Sequence, residues 1–437
     1  MNTQLTHTKF ELPAIRQKPV NSRKVMIILA TLMALQMTSY VLILPLFAQI
    51  LSEFGAGADV LAASSMAFAI MAAIAAPLMG GLADRFGRKP LILIALSAYL
   101  LAFAGYMFVG SPAAFVILRG AAGAFTAGFV PAVTGIVADL APQENRAKWI
   151  GIVSGGTSIG WIIGPSLGGF LFDHWGFETA LMVSIAMALV ALITVKLMVP
   201  ETRKSKLTLH KSSHLQKMDS ADRDSSLRFR DFMRTISRSF PLFGILMVIC
   251  FLVVYAWAFI EPSFMFYVYD DLGWSPSMLG MVMSVFGIAM TVGEFTLGQL
   301  SDHLGRKPVV MLGLVLFSAQ FLGLALSRDY VLISISFIAA GLGNALLDPV
   351  LIASALDITP EGHQAKFLGI KSSISSLGNI VGPAMSVFVL PVLCTKSIFL
   401  CAVAVLTFTF LIALCLRNDS KKSVTIQGSR LSDSEAI

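Results

Sequence analysis

Long apolar stretches separated by short polar turns recur along this chain. Each stretch is close to the roughly 20 residues that a helix needs to cross the apolar core of a bilayer. Six of them occupy 25–48, 58–82, 91–109, 113–140, 147–172 and 178–199. Six more follow a polar gap, at 241–268, 276–300, 309–326, 330–356, 366–390 and 395–416. The pattern predicts an all-α polytopic membrane protein with twelve transmembrane helices in two six-helix bundles.

Basic residues are distributed unequally between the two ends of the predicted bundle. With the N-terminus placed in the cytoplasm, the N-terminal tail carries five Lys and Arg residues and the polar gap carries ten. The outer turns hold only Arg328 and Lys396. Under the positive-inside rule this asymmetry predicts a multi-pass protein of the cell membrane with both termini in the cytoplasm. It also argues against nucleic-acid binding, because the cations occupy short turns instead of forming one patch.

Five parts of the chain follow from these assignments. They are a cytoplasmic N-terminal tail 1–24, a six-helix bundle 25–199, a cytoplasmic linker 200–240, a second six-helix bundle 241–416 and a cytoplasmic tail 417–437. The linker is rich in Ser, Lys, Arg and Asp, so we expect a mobile loop there. Residues 1–24 are polar and basic, and they do not have the apolar core of a cleavable signal peptide.

Composition agrees with the membrane class and limits the chemistry. Hydrophobic residues make up 56% of the chain and charged residues 13%, with a mean hydropathy of +0.80. A soluble domain is about 45–50% apolar and about 25% charged. The four cysteines have no paired spacing, so we expect neither a disulfide framework nor a metal site. The sequence has no nucleotide-binding loop or nucleophile–base pair, so we expect no cofactor and no enzymatic activity.

The sequence repeats itself at a fixed offset of 218 residues. The segment Gly80–Pro90 returns as Gly298–Pro308. Further pairs at the same offset are Pro131 and Pro349, Asp139 and Asp357, Gly160 and Gly378, Gly164 and Gly382, and Pro165 and Pro383. Matches held across several helices indicate duplication of a six-span unit. Parallel repeats of this kind place a substrate site near the middle of the bilayer, between the two halves.

The loop between the second and third predicted spans resembles the signature loop of the major facilitator superfamily. The matching residues are Gly80, Asp84, Arg85, Gly87, Arg88 and Lys89. Asp84 and Arg88 are four residues apart, a spacing that allows them to pair on one helical face. The resemblance implies that Asp84 meets the N-terminus of helix eleven, where the helix dipole favours a carboxylate. It also implies that Asp139 completes a cytoplasmic gating cluster. The alternative is a solvated basic turn that only sets the topology.

The fifth predicted span resembles the signature of the exporters in that superfamily, particularly the drug:proton antiporters. The matching residues are Gly160, Gly164, Pro165, Gly168 and Gly169. Small residues allow two helices to pack closely, and a proline bends its helix. The alternative is ordinary packing of small residues, which accounts for the glycines alone.

Arg119 lies inside the fourth predicted span. Its surroundings resemble the Arg-x-x-Gln-Gly pattern of the superfamily, with Ala122 where glutamine is usual. The duplication does not explain this arginine, because the repeat position holds Phe337. A guanidinium within a membrane span is costly and is usually functional. The missing glutamine leaves the hydrogen-bond partner of Arg119 open, and Gln36, on the first span, is a candidate.

Three acidic residues within the spans are candidates for proton coupling together with Arg119. Glu261 resembles the coupling carboxylate of the Gram-positive quinolone and multidrug exporters, with tetracycline exporters less similar. Those exporters also carry an acid in helix ten at a position that is Ala345 here, and Asp348 lies one turn further along. Glu294 is the third acid. Burial favours the neutral form of a carboxylic acid, which suits a group that loads and releases protons. The alternatives are a structural ion pair for Glu261 and a position in the inner vestibule for Glu294.

Polar and aromatic residues near the middle of the spans are candidates for a substrate cavity. They are Gln36, Tyr40 and Phe47 on one stripe of the first span, Trp161 on the fifth, Trp257 one turn before Glu261, and Asn344 one turn before Asp348. Such residues in a transporter often line a cavity. Packing between helices is the alternative, above all for Trp161.

Together these features predict a secondary active exporter that works by alternating access. The expected partners are a drug-like amphipathic small molecule, protons and the lipid bilayer, and we expect a monomer. One alternative is an exporter of an endogenous metabolite or siderophore on the same scaffold. A second alternative is a membrane sensor that has lost transport, although intact motifs and buried acids argue against it.

Overall fold

The computed structural model describes residues 22–142, 145–202, 218–297, 300–357 and 364–416. Within these ranges it does not describe the side chains of Asp84, Arg146, Ala147, Asp302, residues 218–241 and residues 364–366. The predicted tails 1–24 and 417–437 therefore lie almost wholly outside the described residues. The predicted pairing of Asp84 with Arg88 also lies outside them.

The described chain is built from helices. In the first half they are α1 Ser22–Ile43, α2 Phe47–Glu53, α3 Ala58–Phe86, α4 Arg88–Tyr106, α5 Pro112–Thr126, α6 Phe129–Leu140 and α7 Arg146–Met198. In the second half they are α8 Met218–Phe266, α9 Pro276–Leu297, α10 Leu300–Leu304, α11 Arg306–Leu326, α12 Tyr330–Asp357, α13 Gln364–Val389 and α14 Thr395–Leu414. A 3-10 turn over Leu44–Leu46 joins α1 to α2, and a π-helical turn over Tyr267–Asp271 follows α8.

Eleven helical segments of the described chain are long and apolar enough to cross a membrane. One of them, Lys148–Met198 within α7, has 51 residues. At 1.5 Å per residue it is roughly 77 Å long, more than twice the thickness of a bilayer core. The backbone breaks at Gly176, whose φ of +82° suits a glycine. α7 therefore supplies two crossings, and the described residues contain the twelve that the hydropathy pattern predicts. The predicted fold class is confirmed.

Prolines and capping groups fix where several helices begin. Pro112 opens α5, where a missing backbone N–H costs nothing. The Ser111 hydroxyl accepts a hydrogen bond from the Ala114 N–H at 3.3 Å and caps the same helix. Pro45 lies in the 3-10 turn between α1 and α2, where its ring prevents a continuous α-helix. Local sequence thus sets these boundaries.

Part of the predicted linker is helical. α8 begins at Met218, so residues 218–240 continue the helix that forms the next crossing. The expected loop 200–240 differs from the structure over that stretch, and residues 203–217 lie outside the described ones. The apolar residues Phe229, Phe232, Ile236 and Phe240 recur at intervals of three or four, a period that favours a helix. The high charge content masked this period in the sequence.

Equivalent helices pack against each other in the two halves. In the first half α1 lies along α7, and in the second α8 lies along α13. Glycines at matching repeat positions make both contacts: Gly164 meets Thr38 and Leu42 of α1, and Gly382 meets Ala258 of α8. Between the halves, α7 packs against α9 and α3 against α13. The duplication seen in the sequence is thus also a duplication of helix contacts.

The halves meet closely at one end of the bundle. At that end the Ser166 hydroxyl donates to the Ser284 hydroxyl at 2.6 Å, and the Ser277 N–H donates to the Asp173 carboxylate at 3.0 Å. The Tyr269 hydroxyl donates to the Pro45 carbonyl at 3.0 Å. We call this the closed end. The other end, which carries the α3–α4 and α10–α11 turns with their Arg and Lys residues, is called the basic end.

Candidate functional site

A cavity lies between the two halves and reaches the basic end. Its deeper part, a chamber of about 280 Å³, is almost entirely apolar. The chamber is lined by Trp161, Val253, Val254, Trp257, Met283, Phe286, Met290, Phe317, Phe337 and Asn344. Asn344 is the polar group of this wall, and its amide nitrogen lies 3.2 Å from the Met290 sulfur. The chamber offers large aromatic and polarizable surfaces to a flat apolar molecule.

The chamber continues into a wider vestibule of about 1380 Å³. The two share Trp161, Val253, Val254, Met290 and Asn344, so they form one continuous space. The wall from α1 and α7 consists mostly of small residues, with Lys148 at the basic end. The wall from α9, α12 and α13 carries Glu294, Asp348 and Lys371. The chamber is therefore apolar and the vestibule is charged. An amphipathic ligand, with one apolar and one polar part, would be complementary to this arrangement.

Asp348 forms a salt bridge with Lys371, and this lysine was not among the predicted residues. Glu294 interacts electrostatically with Asp348 from the neighbouring helix. The signal for Lys371 was present in the sequence as a cation within the predicted span 366–390. Within the residues that the structure describes, no three His, Cys, Asp or Glu side chains are arranged to hold a metal ion.

Arg119 is buried between aromatic rings. Its guanidinium carbon lies 4.9 Å from the ring centre of Phe47 and 4.8 Å from that of Phe68, and the residue is 3% exposed. The phenol groups of Tyr40 and Tyr106 are within electrostatic range of it. Cations over aromatic faces are attracted by the ring quadrupole, more strongly when desolvated. These rings stabilise a charge that the apolar span would otherwise exclude.

Gln36, the candidate partner of Arg119, does not pair with it. Gln36 is 1% exposed, and its side-chain amide finds no hydrogen-bond partner among the described residues. The partners of Arg119 are aromatic instead. Ala122 in place of glutamine indicates that Arg119 lacks the usual partner of the motif. It does not indicate that aromatic rings from other helices take the place of that partner.

Glu261 on α8 interacts electrostatically with Arg119 on α5. The two residues belong to different halves of the protein, so their interaction crosses the interface between the halves. Trp257, one turn before Glu261, lines the chamber. Among the described residues we find no hydrogen bond to the Glu261 carboxylate. The interaction acts at a distance, because the nitrogen atoms of Arg119 and the carboxylate oxygens of Glu261 do not form a salt bridge.

The predicted cavity residues divide into two groups. Trp161, Trp257 and Asn344 line the chamber. The stripe on the first span does not line the chamber or the vestibule: Gln36 and Phe47 are buried, and the ring of Tyr40 lies 6.2 Å from that of Phe68. A stripe on one helix shows which residues share a face, but it does not show whether that face meets another helix or the cavity.

A polar network joins the α3–α4 turn to the end of the first half. Arg88 Nε forms a salt bridge with Asp139 Oδ2 at 3.1 Å, and the Thr202 hydroxyl donates to the same oxygen at 3.0 Å. The Glu201 carboxylate accepts from the backbone N–H groups of Arg88 and Lys89, at 3.2 Å each. A carboxylate at the N-terminus of α4 is favoured by the helix dipole. The sequence did not single out Glu201 and Thr202, because their roles depend on contacts with Arg88 and Asp139, which lie 113 and 63 residues away in the chain.

The remaining residues of this predicted gating motif have different surroundings. Gly87 has a φ of +104°, and a Cβ there would meet the Glu201 carboxylate, so two constraints favour glycine. Gly80 is exposed and has open space around it. Arg85 lies over the Phe86 ring at 5.5 Å. The amine of Lys89 donates to the Lys196 carbonyl at 2.9 Å.

The glycine motif of the fifth span has two packing faces. Gly160, Gly164 and Gly168 face α1, where added methyl groups would meet Met37, Leu42 and their backbones. Gly169 faces the other half, where a Cβ would overlap the carbonyl of Pro276 at the start of α9. The carbonyl of Pro165 is likewise in contact with Gly280 of α9. The motif therefore builds one half and also closes the interface between the halves.

Comparison with known proteins identifies the family. The Major Facilitator Superfamily model matches residues 27–269 and 246–432. The chain belongs to the Major Facilitator Superfamily. The two matches overlap over residues 246–269, and together they span both halves of the fold.

Relatives within this superfamily are named for drug resistance. Multidrug resistance protein 2 of Bacillus subtilis is 28% identical over 346 residues, which cover 78% of this chain and 82% of that protein. The class B tetracycline resistance protein of Escherichia coli is 26% identical over 361 residues, covering 79% of this chain and 83% of that protein.

Solved structures of superfamily members share the fold. A bacterial homologue of the human lysosomal transporter Spinster, in an inward-facing and unoccupied conformation, has a TM-score of 0.69 and 17% identity. That match covers 93% of this chain and all of the other. The human organic anion transporter MFSD10 has a TM-score of 0.63 and 22% identity, covering 91% of this chain and all of that one.

Proposed function

We propose that this protein exports drug-like amphipathic small molecules across the cell membrane in exchange for protons. The observation that carries the proposal is the amphipathic cavity between the halves, open at the basic end and shut at the other. An alternating-access transporter needs one central site that communicates with one side at a time. The names of the relatives from Bacillus subtilis and Escherichia coli support drugs as the class of cargo.

The proposed orientation places the basic end and both termini in the cytoplasm. The Lys and Arg residues of the turns support this, because positively charged loops remain on the cytoplasmic side. The conformation described above then takes up cargo from the cytoplasm. To release it outside, the contacts of α7 with α9 must open while the basic end closes. We propose that the protein does this as a monomer, since each chain contains a complete cavity.

Proton coupling in this proposal depends on Glu261 and Arg119. Their attraction links the two halves, and protonation of Glu261 removes it. The proton load of one carboxylate can therefore shift the balance between the two states. Glu294 and Asp348 in the vestibule are further candidate proton sites, because water reaches them from the basic end. One proton supplies about 2.3 kcal/mol per 100 mV and about 1.4 kcal/mol per pH unit.

Dye transport in inverted membrane vesicles tests this function. The cytoplasmic face is then outermost, so acidifying the lumen should drive ethidium into the vesicles. A protonophore should stop that uptake, and vesicles without the protein should show none. Uptake that requires ATP and ignores the pH gradient would contradict proton exchange. Ethidium binding without uptake under any gradient would favour the sensor alternative.

A further inference from the structure

The charges of the vestibule are arranged asymmetrically between its two walls. The wall from the first half presents Lys148. The wall from the second half presents Glu294, Asp348 and Lys371. The balance is therefore two cations and two anions, with both anions on one wall. An ionic cargo entering from the basic end meets this arrangement before it reaches the apolar chamber.

Lys371 and Asp348 have very different access to the vestibule. The Lys371 side chain is 14% exposed, whereas that of Asp348 is 61% exposed. The lysine thus lies within the helix packing and directs its amine toward a carboxylate that faces the open space. Burial of the stem holds the ammonium group beside Asp348. The charge of Asp348 is therefore neutralised by a lysine of the protein that lies in the helix packing beside it.

Glu294 has no such compensation. It faces the same vestibule from α9, and no cation forms a salt bridge with it among the described residues. Its electrostatic interaction is with Asp348, a like charge. If Lys371 were neutral, the wall would carry two uncompensated carboxylates. With Lys371 present, it carries one.

We propose that Lys371 determines which cargo charge the cavity prefers, because its ammonium group acts as an internal counter-ion to Asp348. This inference rests on the proposed function, because it concerns what the transport cavity accepts. A cationic cargo must share Asp348 with Lys371, so its affinity is held below what two carboxylates would give. An anionic cargo is less strongly repelled than it would be without the lysine. Lys371 therefore lowers the affinity for cationic cargo and raises the affinity for anionic cargo.

The test compares two hydrophobic ions of nearly equal size and opposite charge, tetraphenylphosphonium and tetraphenylborate. Their dissociation constants are measured by quenching of tryptophan fluorescence, with Trp161 and Trp257 in the chamber, on full-length protein in one detergent. For each variant, the ratio of the two dissociation constants is divided by the same ratio for the wild type. Partitioning of the ions into detergent affects all variants equally, so it cancels in this comparison. Lys371→Met should change this ratio at least about fivefold in favour of the cation, the effect of one charge near 4 Å in a water-like medium.

Two companion variants separate selectivity from structure. Asp348→Asn leaves the ammonium of Lys371 unpaired and should shift the ratio in the opposite direction, toward the anion. The double variant Asp348→Asn with Lys371→Met removes both charges and should return the ratio close to wild type. A merely structural ion pair would not produce opposite shifts that cancel. Lys371→Arg keeps the charge and should keep the wild-type ratio.

Lys148→Met is the matched control on the opposite wall. It changes the net charge of the vestibule by the same amount without freeing Asp348. An equal shift from Lys148→Met would mean that only the overall field matters, and it would overturn the role given to Lys371. An unchanged ratio in both Lys371→Met and Asp348→Asn would overturn it as well. If Lys371→Met fails to fold, Asp348→Asn and the double variant still decide the question. A wild-type protein that binds neither ion would contradict the proposed function itself.

Discussion

Arg88 and Asp139 form a salt bridge at 3.1 Å between the start of α4 and the end of α6. The same relationship recurs 218 positions later, where Arg306 and Asp357 are also 3.1 Å apart. The amines of Lys89 and Lys307 likewise donate to carbonyls at matching positions, those of Lys196 and Leu414. Each half of the protein is thus fastened at the basic end by its own copy of one polar network.

Breaking the first copy of this network should slow transport. Asp139→Asn removes the charge that pairs with Arg88 and weakens the acceptor for Thr202. Because the pair is partly exposed, the free energy of unfolding should fall by no more than about 1 kcal/mol. The initial rate of ethidium uptake into acid-lumen vesicles, per amount of folded protein, is the measurement. Asp357→Asn should be milder, because Thr202 adds a contact to the first copy. A wild-type rate in Asp139→Asn would show that the network serves stability alone.

A methyl group at Gly169 should prevent closure of the closed end. In Gly169→Ala the new Cβ overlaps the Pro276 carbonyl, so α7 and α9 must separate. We expect loss of coupled uptake and a faster passive proton leak, measured with a pH-sensitive dye trapped in proteoliposomes. Gly369→Ala is the control: it is also helical, and its Cβ would point into open space. Alanine there should favour the helix by up to about 1 kcal/mol and leave transport unchanged. Equal behaviour of the two variants would contradict the role of Gly169.

Glu261→Gln should separate cargo binding from proton coupling. Glutamine resembles the protonated acid, so the variant should bind cargo but lose uptake driven by a pH gradient. In the wild type, cargo affinity should fall as pH falls, because proton and cargo compete, and cargo binding should release protons to the same extent. Affinity for tetraphenylphosphonium from about pH 5.5 to pH 8.5 checks this, and the dependence should vanish in Glu261→Gln. An unchanged pH dependence in the variant would transfer the role to Asp348 or Glu294.

The fold could be predicted from the sequence because it depends on features that are local or repeated. Apolar stretches of the right length predict the crossings, and the 218-residue offset predicts two similar halves. The 218–240 stretch was misjudged because its charge content outweighed a weak helical period. The break at Gly176 was anticipated only as a gap between two apolar stretches.

Candidate site residues could be predicted from the sequence where a single residue is energetically unfavourable in its span. Glu261, Asp348 and Arg119 were predicted as candidates because a charge inside a span requires an explanation, and Asp348 lines the vestibule. Gln36 was misassigned because its partner depends on how α1 faces the other helices. Lys371 was overlooked next to the basic residues of the turns, and Glu201 was overlooked because a single acid after a span has no pattern of its own. Tertiary contacts alone reveal these roles.

The pair Asp348–Lys371 and the pair Arg119–Glu261 differ in which halves of the protein they connect. Asp348 and Lys371 both belong to the second half, so they travel together when the halves move, and their separation need not change during a transport cycle. Arg119 and Glu261 belong to different halves, so every cycle stretches and restores their separation. Charge changes at the first pair should therefore appear in equilibrium affinities, with the rate of exchange between states preserved. Charge changes at the second pair should change that rate as well as cargo affinity, so kinetic and equilibrium measurements together distinguish the two pairs.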